Sequence, residues 1–236
     1  MGTCLNDRYL RNFNSLSLAD QNRLKTSHVA VIGLGGLGGT VCELLARIGV
    51  ECLTLVDGDR FNSTNLNRQV LSREDNLGCF KADEAKKRIE KINSSVKIGI
   101  HKVFAGPENI QALIRDADLV MDCLDTISDR FVLELAAQKG KKPLVSGAIA
   151  GGTGQVTVIF PQDRGFELIY GSPASIDASK KGIETQVGNL SYCACFIASL
   201  QVSEAVKILI GKGEVLRNKL LIADLWTHTL EVMDLI

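Results

Sequence analysis

The sequence predicts an α/β fold with a doubly wound, mostly parallel sheet that antiparallel strands extend near the C-terminus. Short apolar strands alternate with helices as far as residue 150, which is typical of a parallel sheet with right-handed crossovers. A glycine-rich turn, residues 33–38, joins the first strand to a helix. After Gly152, several apolar runs follow each other without a helix of crossover length between them. Together these observations predict a Rossmann-like sheet with an antiparallel extension.

The first half of the chain supplies the parallel strands. A short helix over 17–25 precedes a buried strand over 29–32. The next helix has one apolar face, formed by Leu37, Val41, Leu44, Leu45 and Ile48, and ends at Gly49, a residue type common after helices. Further strands are predicted over 52–56, 96–102, 119–123 and 144–146, with helices over 81–93, 108–115 and 130–139. Opposite charges four residues apart on the helix over 81–93 predict pairs of Asp83 with Lys87 and of Glu84 with Arg88.

The second half predicts antiparallel strands over 155–160, 219–225 and 229–233, and a long buried helix over 192–210. Residues 161–190 are polar and turn-rich, which predicts a long functional or mobile loop. A length of 236 residues suits one large α/β domain. We therefore expect a single domain over 1–236, with an N-terminal helical arm (1–27), a nucleotide-binding part (28–150), and a final part with the antiparallel strands, crossover loop and long helix (151–236).

Composition excludes several classes of function. Lys and Arg total 27, as do Asp and Glu, so no net field favours nucleic acid or an anionic membrane. The N-terminus has no apolar signal-like segment, and no uninterrupted apolar run of membrane-spanning length follows, which predicts a cytoplasmic protein. Seven scattered cysteines, an odd number, indicate small buried side chains in a reducing compartment rather than disulfides.

The glycine turn predicts a phosphate site. Gly33, Gly35 and Gly36 stand between an apolar strand and an amphipathic helix, where backbone N–H groups and the helix N-terminus can face an anion. Asp57 ends the next strand and is placed to accept hydrogen bonds from a ribose. These features fit NAD as well as ATP. Two cations downstream, Arg68 and Lys81, favour a triphosphate over a dinucleotide.

Several motifs in register identify a family resemblance. The chain resembles the ThiF/MoeB/HesA adenylyltransferases, bacterial relatives of ubiquitin-activating enzymes, from Arg8-Tyr9-x-Arg11 to Ser199-Leu200-Gln201-x-x-Glu204-Ala205-x-Lys207. The motifs are Gly33-x-Gly35-Gly36-Leu37-Gly38, Asp57-x-Asp59, Asn65-x-x-Arg68-Gln69, Gly78-x-x-Lys81, Asp122-Cys123-x-Asp125 and Asp125-x-x-x-x-Arg130. The resemblance implies that ATP activates a carboxylate as an acyl-adenylate, with release of pyrophosphate. The expected substrate is the C-terminal glycine of a ubiquitin-like sulfur carrier protein ending in Gly-Gly, of the thiamin or molybdopterin type.

The resemblance also assigns roles to residues. Arg68 and Lys81 are expected to stabilise charge on the phosphates, and Asp125 to hold Mg²⁺, at the carboxyl end of a strand. The expected nucleotide-binding residues are Gly33, Gly35, Gly36, Asp57, Asp59, Asn65, Arg68, Gln69 and Lys81. Arg11 matches an arginine that enters the ATP site of the partner subunit, which implies a homodimer with a composite site. The chain departs from the family pattern at Thr126, where Asn is usual, and at Asn12, where Gln is usual.

Two absences from the sequence shape the expected chemistry. The paired Cys-x-x-Cys motifs of many family members are missing, so no zinc is expected. Residues 161–190 contain no cysteine, and Cys193 and Cys195 at the start of the long helix are expected to pack as small apolar residues. These absences predict an enzyme that stops at the adenylate, with sulfur delivered by a separate sulfurtransferase.

Two further classes of function stay open on the sequence. A family enzyme of this type could adenylate a carboxylate on a small molecule or on a modified tRNA base. Alternatively, the same glycine turn could serve an NAD-dependent enzyme or a non-catalytic binding subunit. The presence of Arg68, Lys81 and Asp125 argues against this last class.

Overall fold

The computed structural model describes residues 7–175 and 184–236. Within these residues, eight strands form one sheet. They are β1 (His28–Ile32), β2 (Cys52–Val56), β3 (Lys97–His101), β4 (Leu119–Asp122), β5 (Leu144–Ala150), β6 (Thr153–Ile159), β7 (Lys219–Asp224) and β8 (Thr229–Asp234). Their order across the sheet is β3-β2-β1-β4-β5-β6-β7-β8.

The sheet has a parallel half and an antiparallel half. The pairs from β3 to β5 are parallel, and those from β5 to β8 are antiparallel. The predicted fold class is therefore confirmed. β5 runs to Ala150, four residues beyond its predicted end, because it forms a hairpin with β6 that continues past the parallel pairing with β4.

Helices cover both faces of the sheet. They are α1 (Leu18–Thr26), α2 (Gly36–Ile48), α3 (Lys81–Ile92), α4 (Ile110–Leu113), α5 (Ile127–Lys139), α6 (Glu167–Tyr170), α7 (Glu184–Val187) and α8 (Ser191–Ile210). Short 3₁₀ helices are Asp7–Asn12, Ser63–Asn65, Glu74–Asn76 and Pro173–Ser175. One apolar core lies between the sheet and α2, α3 and α8, and a second lies under α4 and α5.

The predicted loop over 161–190 contains helical turns in its described parts, α6 and α7 among them. Phe166 is fully buried and contacts the rings of Phe131 and Tyr170, with centroids 5.8 and 5.7 Å away. This aromatic contact fixes α6 against α5, and the polar composition of the segment did not indicate it. Residues 176–183 of the segment lie outside the described residues.

The charge pattern of α3 was misread. The sequence suggested pairs four residues apart, Glu84 with Arg88 among them. Instead, the Arg88 guanidinium bonds Glu43 of α2 at 2.8 Å, while Glu84 is buried and bonds Lys87 at 2.7 Å. The cause is tertiary, since α2 packs alongside α3 and brings a carboxylate within reach.

Helix α8 is apolar enough to cross a membrane by length and composition alone, with a mean hydropathy of 1.7. Half of that stretch is buried inside the protein, against α2, β5 and β6. A core helix has the same composition. In the described residues, six cysteines are free and none forms a disulfide.

Candidate active site

A cavity of about 1460 Å³ opens at the carboxyl ends of the parallel strands. β1 lies there between β2 and β4. The strand order changes direction at β1, and open α/β sheets bind ligands at such a point. Of the residues singled out from the sequence, the cavity is lined by Gly33, Gly35, Gly36, Asp57, Asp59, Arg68, Gln69, Lys81 and Asp125. Residues far apart in the chain therefore meet at one edge of the sheet.

The glycine turn brings backbone close to backbone. Gly33 has a φ of +89°, and a Cβ there would lie 2.7 Å from the carbonyl oxygen of Cys123. A Cβ at Gly38 would lie 1.8 Å from the carbonyl oxygen of Gly33. Helix α2 begins at Gly36 without a side-chain cap, so its first N–H groups remain available to an anion.

Asp57 supports the glycine turn from the end of β2. Its carboxylate accepts N–H bonds from Leu34 and Asp59, both at 2.7 Å. Burial raises the pKa of Asp57, and nearby Lys81 opposes that rise. A carboxylate has about four lone-pair sites, so these two bonds leave room for a ribose hydroxyl. The ribose role stays a prediction.

Lys81 is a nearly buried cation at the cavity wall. Its side chain is 8% exposed, and its ammonium bonds the exposed carboxylate of Asp59 at 2.9 Å. The backbone N–H of Lys81 also bonds the Asp59 carbonyl at 3.0 Å. An ammonium carries three donors, so this ion pair leaves others for an incoming anion.

Arg68 and Gln69 line the cavity wall beside the N-terminus of α2. Nη1 of Arg68 bonds the Thr64 carbonyl and Asn67 Oδ1, both at 3.0 Å, while its Nε and Nη2 have no partner among residues 7–175 and 184–236. Gln69 is 5% exposed, and its Oε1 has no hydrogen-bond partner among the described residues. Its Nε2 would lie 3.6 Å from a Cβ at Gly35. A buried amide with an unused acceptor at this turn is suited to a bound ligand.

Two acidic residues after β4 differ in their surroundings. Asp122 is fully buried and accepts bonds from Ser146 Oγ at 2.6 Å and Arg130 Nη1 at 3.2 Å. Asp125 is exposed at the cavity, and its carboxylate makes no hydrogen bond or ion pair with described residues. Asp122 is therefore part of a buried ion-pair network, whereas Asp125 is available to a ligand.

The fit of Mg²⁺ follows from the donors present. In the described part of the chain, no three His, Cys, Asp or Glu residues group closely enough to hold a metal. Mg²⁺ is commonly bound by one or two carboxylates together with substrate phosphates, and it does not need such a cage. The free carboxylate of Asp125 therefore fits this mode of binding.

Two predicted site residues are not brought into the cavity. Asn65 is buried, and its Oδ1 accepts the N–H of Asn62 at 3.1 Å, which stabilises the turn that carries Arg68. Arg11 is exposed on the first 3₁₀ helix, near the far end of α2. Tyr9 of the same 3₁₀ helix packs at Gly49 there, and α2 spans about 20 Å from that end to the glycine turn.

The two departures from the family pattern have local roles. The Asn12 amide donates to Gln21 Oε1 at 3.0 Å and to the Ile48 carbonyl at 3.4 Å, so it ties the N-terminal arm to α2. Thr126 precedes α5, and its hydroxyl bonds Asp129. Neither side chain lines the cavity.

Sequence reasoning gave no role to three residues of the cavity wall. Arg130 was noted in a motif, but its burial and its bond to Asp122 required the structure. Tyr170 accepts a bond from Gln155 Nε2 at 2.6 Å and closes the side near β6. Phe104, after β3, is 70% exposed at the rim. Its position directly after a strand was the only signal that the sequence offered.

Comparisons with known proteins agree with this geometry. The ThiF family model matches residues 7–235. A protein of Drosophila sechellia named adenylyltransferase and sulfurtransferase MOCS3 is 34% identical over 225 residues, which cover 93% of this chain and 49% of the relative. MOCS3-2 of Zea mays is 32% identical over 216 residues, covering 91% and 44%. The chain spans about half the length of these relatives.

Solved structures show the same fold. E. coli MccB with ATP has a TM-score of 0.83 at 22% identity, covering 98% of this chain and 72% of MccB. PaaA has a TM-score of 0.81 at 24% identity, covering 100% and 76%. At these identities the likeness concerns the fold alone. The family model extends over nearly the whole described chain, and the chain therefore belongs to the ThiF family, the adenylyltransferase family that its motifs predicted.

Proposed function

We propose that the protein uses ATP to adenylate a carboxylate and releases pyrophosphate. One observation carries the proposal: the glycine turn, Asp57, the cations Arg68 and Lys81, and the unpartnered Gln69 amide line a single cavity. Two cations next to a helix N-terminus provide the positive charge that a triphosphate needs. A dinucleotide carries less negative charge than a triphosphate and would not need both cations.

The chemistry requires positioning more than proton transfer. A terminal carboxylate with a pKa of about 3.5 is already an anion at neutral pH. Its oxygen attacks the α-phosphorus, the bond from that phosphorus to the β-phosphate oxygen breaks, and pyrophosphate leaves. The obstacle is repulsion between two anions, so Arg68 and Lys81 would act by stabilising charge on the phosphate oxygens.

Asp125 is the residue that would hold Mg²⁺. The ion, when bound, would neutralise charge on the triphosphate. Lys81, which lines the same cavity, would contribute an ammonium that Asp59 keeps in place.

The carboxylate substrate we propose is the C-terminal glycine of a ubiquitin-like sulfur carrier. The cavity exceeds the roughly 300–1,000 Å³ of ordinary small-ligand sites and continues along β5, where its wall includes Ala148 and Ala150. Small side chains there leave space for an extended Gly-Gly tail. The MOCS3 relatives, named adenylyltransferase and sulfurtransferase, support a sulfur-related role. Sulfur would come from a separate sulfurtransferase.

The first prediction concerns ATP–pyrophosphate exchange, with a ubiquitin-like protein ending in Gly-Gly from the same genome as substrate. Arg68→Ala, Lys81→Ala and Asp125→Ala should each lower exchange about 10²–10³-fold, as expected when a group that stabilises transition-state charge is removed. Thermal unfolding should show intact folds.

Lys86→Ala is the matched control, since Lys86 lies on the same helix as Lys81, has a side chain that is 41% exposed, and does not line the cavity. It should exchange like the wild type. Tight NAD binding without ATP binding in calorimetry would contradict the proposal. If the enzyme catalyses exchange with a small carboxylic acid but with no protein ending in Gly-Gly, the adenylation proposal stands and the carrier protein is rejected as the substrate.

A further inference from the structure

Phe104 is a large apolar side chain that the fold leaves in solvent at the edge of the cavity. It follows β3, is 70% exposed, and lines the cavity with Val103 and Ala105. A single exposed aromatic residue is ordinary by itself. Three features indicate a specific role for this ring. They are the fixed backbone of Phe104, its contact with the turn that carries Asp57, and the place of β3 in the strand order.

The backbone around Phe104 is held in place. The side chain of Asn109 donates from Nδ2 to the Phe104 carbonyl and accepts from the Gly106 N–H, both at 2.9 Å. The Asn109 amide thus holds the loop by hydrogen bonds on both sides of Ala105. A ring on a clamped loop is positioned before a ligand arrives, so little ordering cost accompanies a contact with it.

Phe104 lies directly against the turn that carries Asp57. A Cβ on Gly58 would lie 2.8 Å from both Cδ2 and the backbone nitrogen of Phe104. The Asp57 N–H also bonds the His101 carbonyl at the end of β3, at 3.1 Å. Only a residue without a side chain at position 58 permits this approach of Phe104 to the turn.

The strand order predicts how a nucleotide would be oriented in the cavity. The glycine turn follows β1, Asp57 follows β2, and Phe104 follows β3, and these three strands are neighbours in the sheet. A nucleotide with phosphates at the glycine turn and ribose at Asp57 therefore points its base toward Phe104. The base has a flat π-face, which an exposed aromatic ring can meet.

We propose that the Phe104 ring stacks on the adenine base of bound ATP and sets the affinity for the nucleotide. The inference rests on the proposed function, because it assumes that ATP occupies the cavity. The phosphate groups are bound elsewhere, by the glycine turn, Arg68 and Lys81. The base and the phosphates should therefore respond separately to substitution.

The experiment compares binding of ATP and of inorganic tripolyphosphate, each with Mg²⁺, by calorimetry. Phe104→Ala should weaken ATP binding about 5- to 150-fold, the range for loss of one base–aromatic stack, and should leave tripolyphosphate binding unchanged. Phe104→Tyr and Phe104→Trp keep an aromatic face and should bind ATP within about twofold of the wild type. Lys102→Ala, an exposed change near the same loop, should bind both ligands normally.

The outcomes separate the two proposals. Equal ATP affinity in Phe104→Ala and the wild type overturns the stacking role. An equal loss of ATP and tripolyphosphate binding overturns it too, because the residue then shapes the phosphate site. If the wild type binds tripolyphosphate but not ATP, or binds neither, the proposed function itself fails and the stacking role fails with it.

Discussion

At the scale of single residues, buried polar groups differ in whether the protein satisfies them. Asp122 has Ser146 and Arg130 as partners and needs no ligand. Gln69 is as deeply buried as many core residues, yet its side-chain oxygen Oε1 has no partner in the part of the chain that the structure describes. Since an unmade buried hydrogen bond costs about 1–3 kcal/mol, such an atom favours binding of a donor at that point.

Glu134 gives the second prediction. It is 5% exposed, and burial raises its pKa to about 7, with Asp122 and Glu167 adding to the rise. The folded state therefore binds a proton that the unfolded state, with a pKa near 4.5, has lost. The stability that this protonated carboxyl contributes is present at low pH and declines as pH rises from about 4.5 to about 7, by roughly 3 kcal/mol.

Glu134→Gln should remove this decline, since the Gln oxygen can still accept the Phe166 N–H that Glu134 now accepts at 3.0 Å. Urea unfolding between pH 5 and pH 8 would measure it. The two proteins should have similar free energies of unfolding near pH 5, and the variant should be the more stable at pH 8. A difference that does not change with pH would show that Glu134 titrates normally.

The third prediction concerns the two cysteines of α8. Burial raises the pKa of Cys193 to about 11, so its thiol stays protonated at neutral pH and is a poor nucleophile. Cys195 is partly exposed, with its sulfur 3.8 Å from the Thr40 hydroxyl. A Cys193→Ala, Cys195→Ser double variant should keep exchange activity, and sulfur transfer when a sulfurtransferase is supplied. A reducible adduct with the carrier, seen only in the wild type, would assign one thiol a covalent role.

At the scale of elements, the β1–α2 turn depends on close backbone contact. Gly38 lies in the first turn of α2, five residues after Gly33. A Cβ at Gly38 would overlap the Gly33 carbonyl oxygen. The turn holds the helix N-terminus over the sheet edge, where Arg68 and Lys81 also lie. The geometry of the phosphate site is therefore tied to the packing of α2 on β1.

The fourth prediction tests that packing. Gly38→Ala should lower the free energy of unfolding by roughly 1–3 kcal/mol or more, because the new methyl overlaps the Gly33 carbonyl oxygen. Gly36→Ala is the matched control on the same helix, since its Cβ would lie 3.5 Å from Ala194 Cβ, an ordinary contact. Urea unfolding should leave this control within about 0.5 kcal/mol of the wild type. Equal losses in both variants would contradict the close-contact explanation.

At the scale of the whole molecule, the cavity of one subunit does not contain every residue that the sequence assigned to the site. Arg11 lies near the far end of α2, about 20 Å from the glycine turn, and is exposed. An arginine side chain cannot cover that distance. A role for Arg11 in catalysis therefore requires a second copy of the chain.

The fifth prediction uses complementation. Arg11→Ala and Lys81→Ala homodimers should each be nearly inactive in exchange. In a mixture that has been allowed to exchange subunits, each heterodimer has one site with both defects and one intact site. Activity should therefore recover to about a quarter of the wild-type value when subunits mix at random. Full activity of Arg11→Ala alone, or a monomer in sedimentation, would reject the composite site.

The sequence alone determined the fold class, and nine of the eleven residues that it assigned to the candidate site line one cavity. Periodic apolar residues and the glycine turn fixed the order of strands and helices, because such patterns depend on neighbours in the chain. Residues that follow strands, such as Asp57 and Asp125, could be placed at one edge for the same reason.

Tertiary structure decided the rest, because contacts between distant segments leave no local pattern. It showed that Asn65 stabilises a turn and does not line the cavity, that Arg88 pairs with Glu43, and that Phe166 anchors a segment read as loop. It also placed Phe104 against Gly58. The position of Phe104 after a strand is visible in the sequence, but its proximity to Asp57 is not, because that depends on which strand lies beside β3 in the sheet.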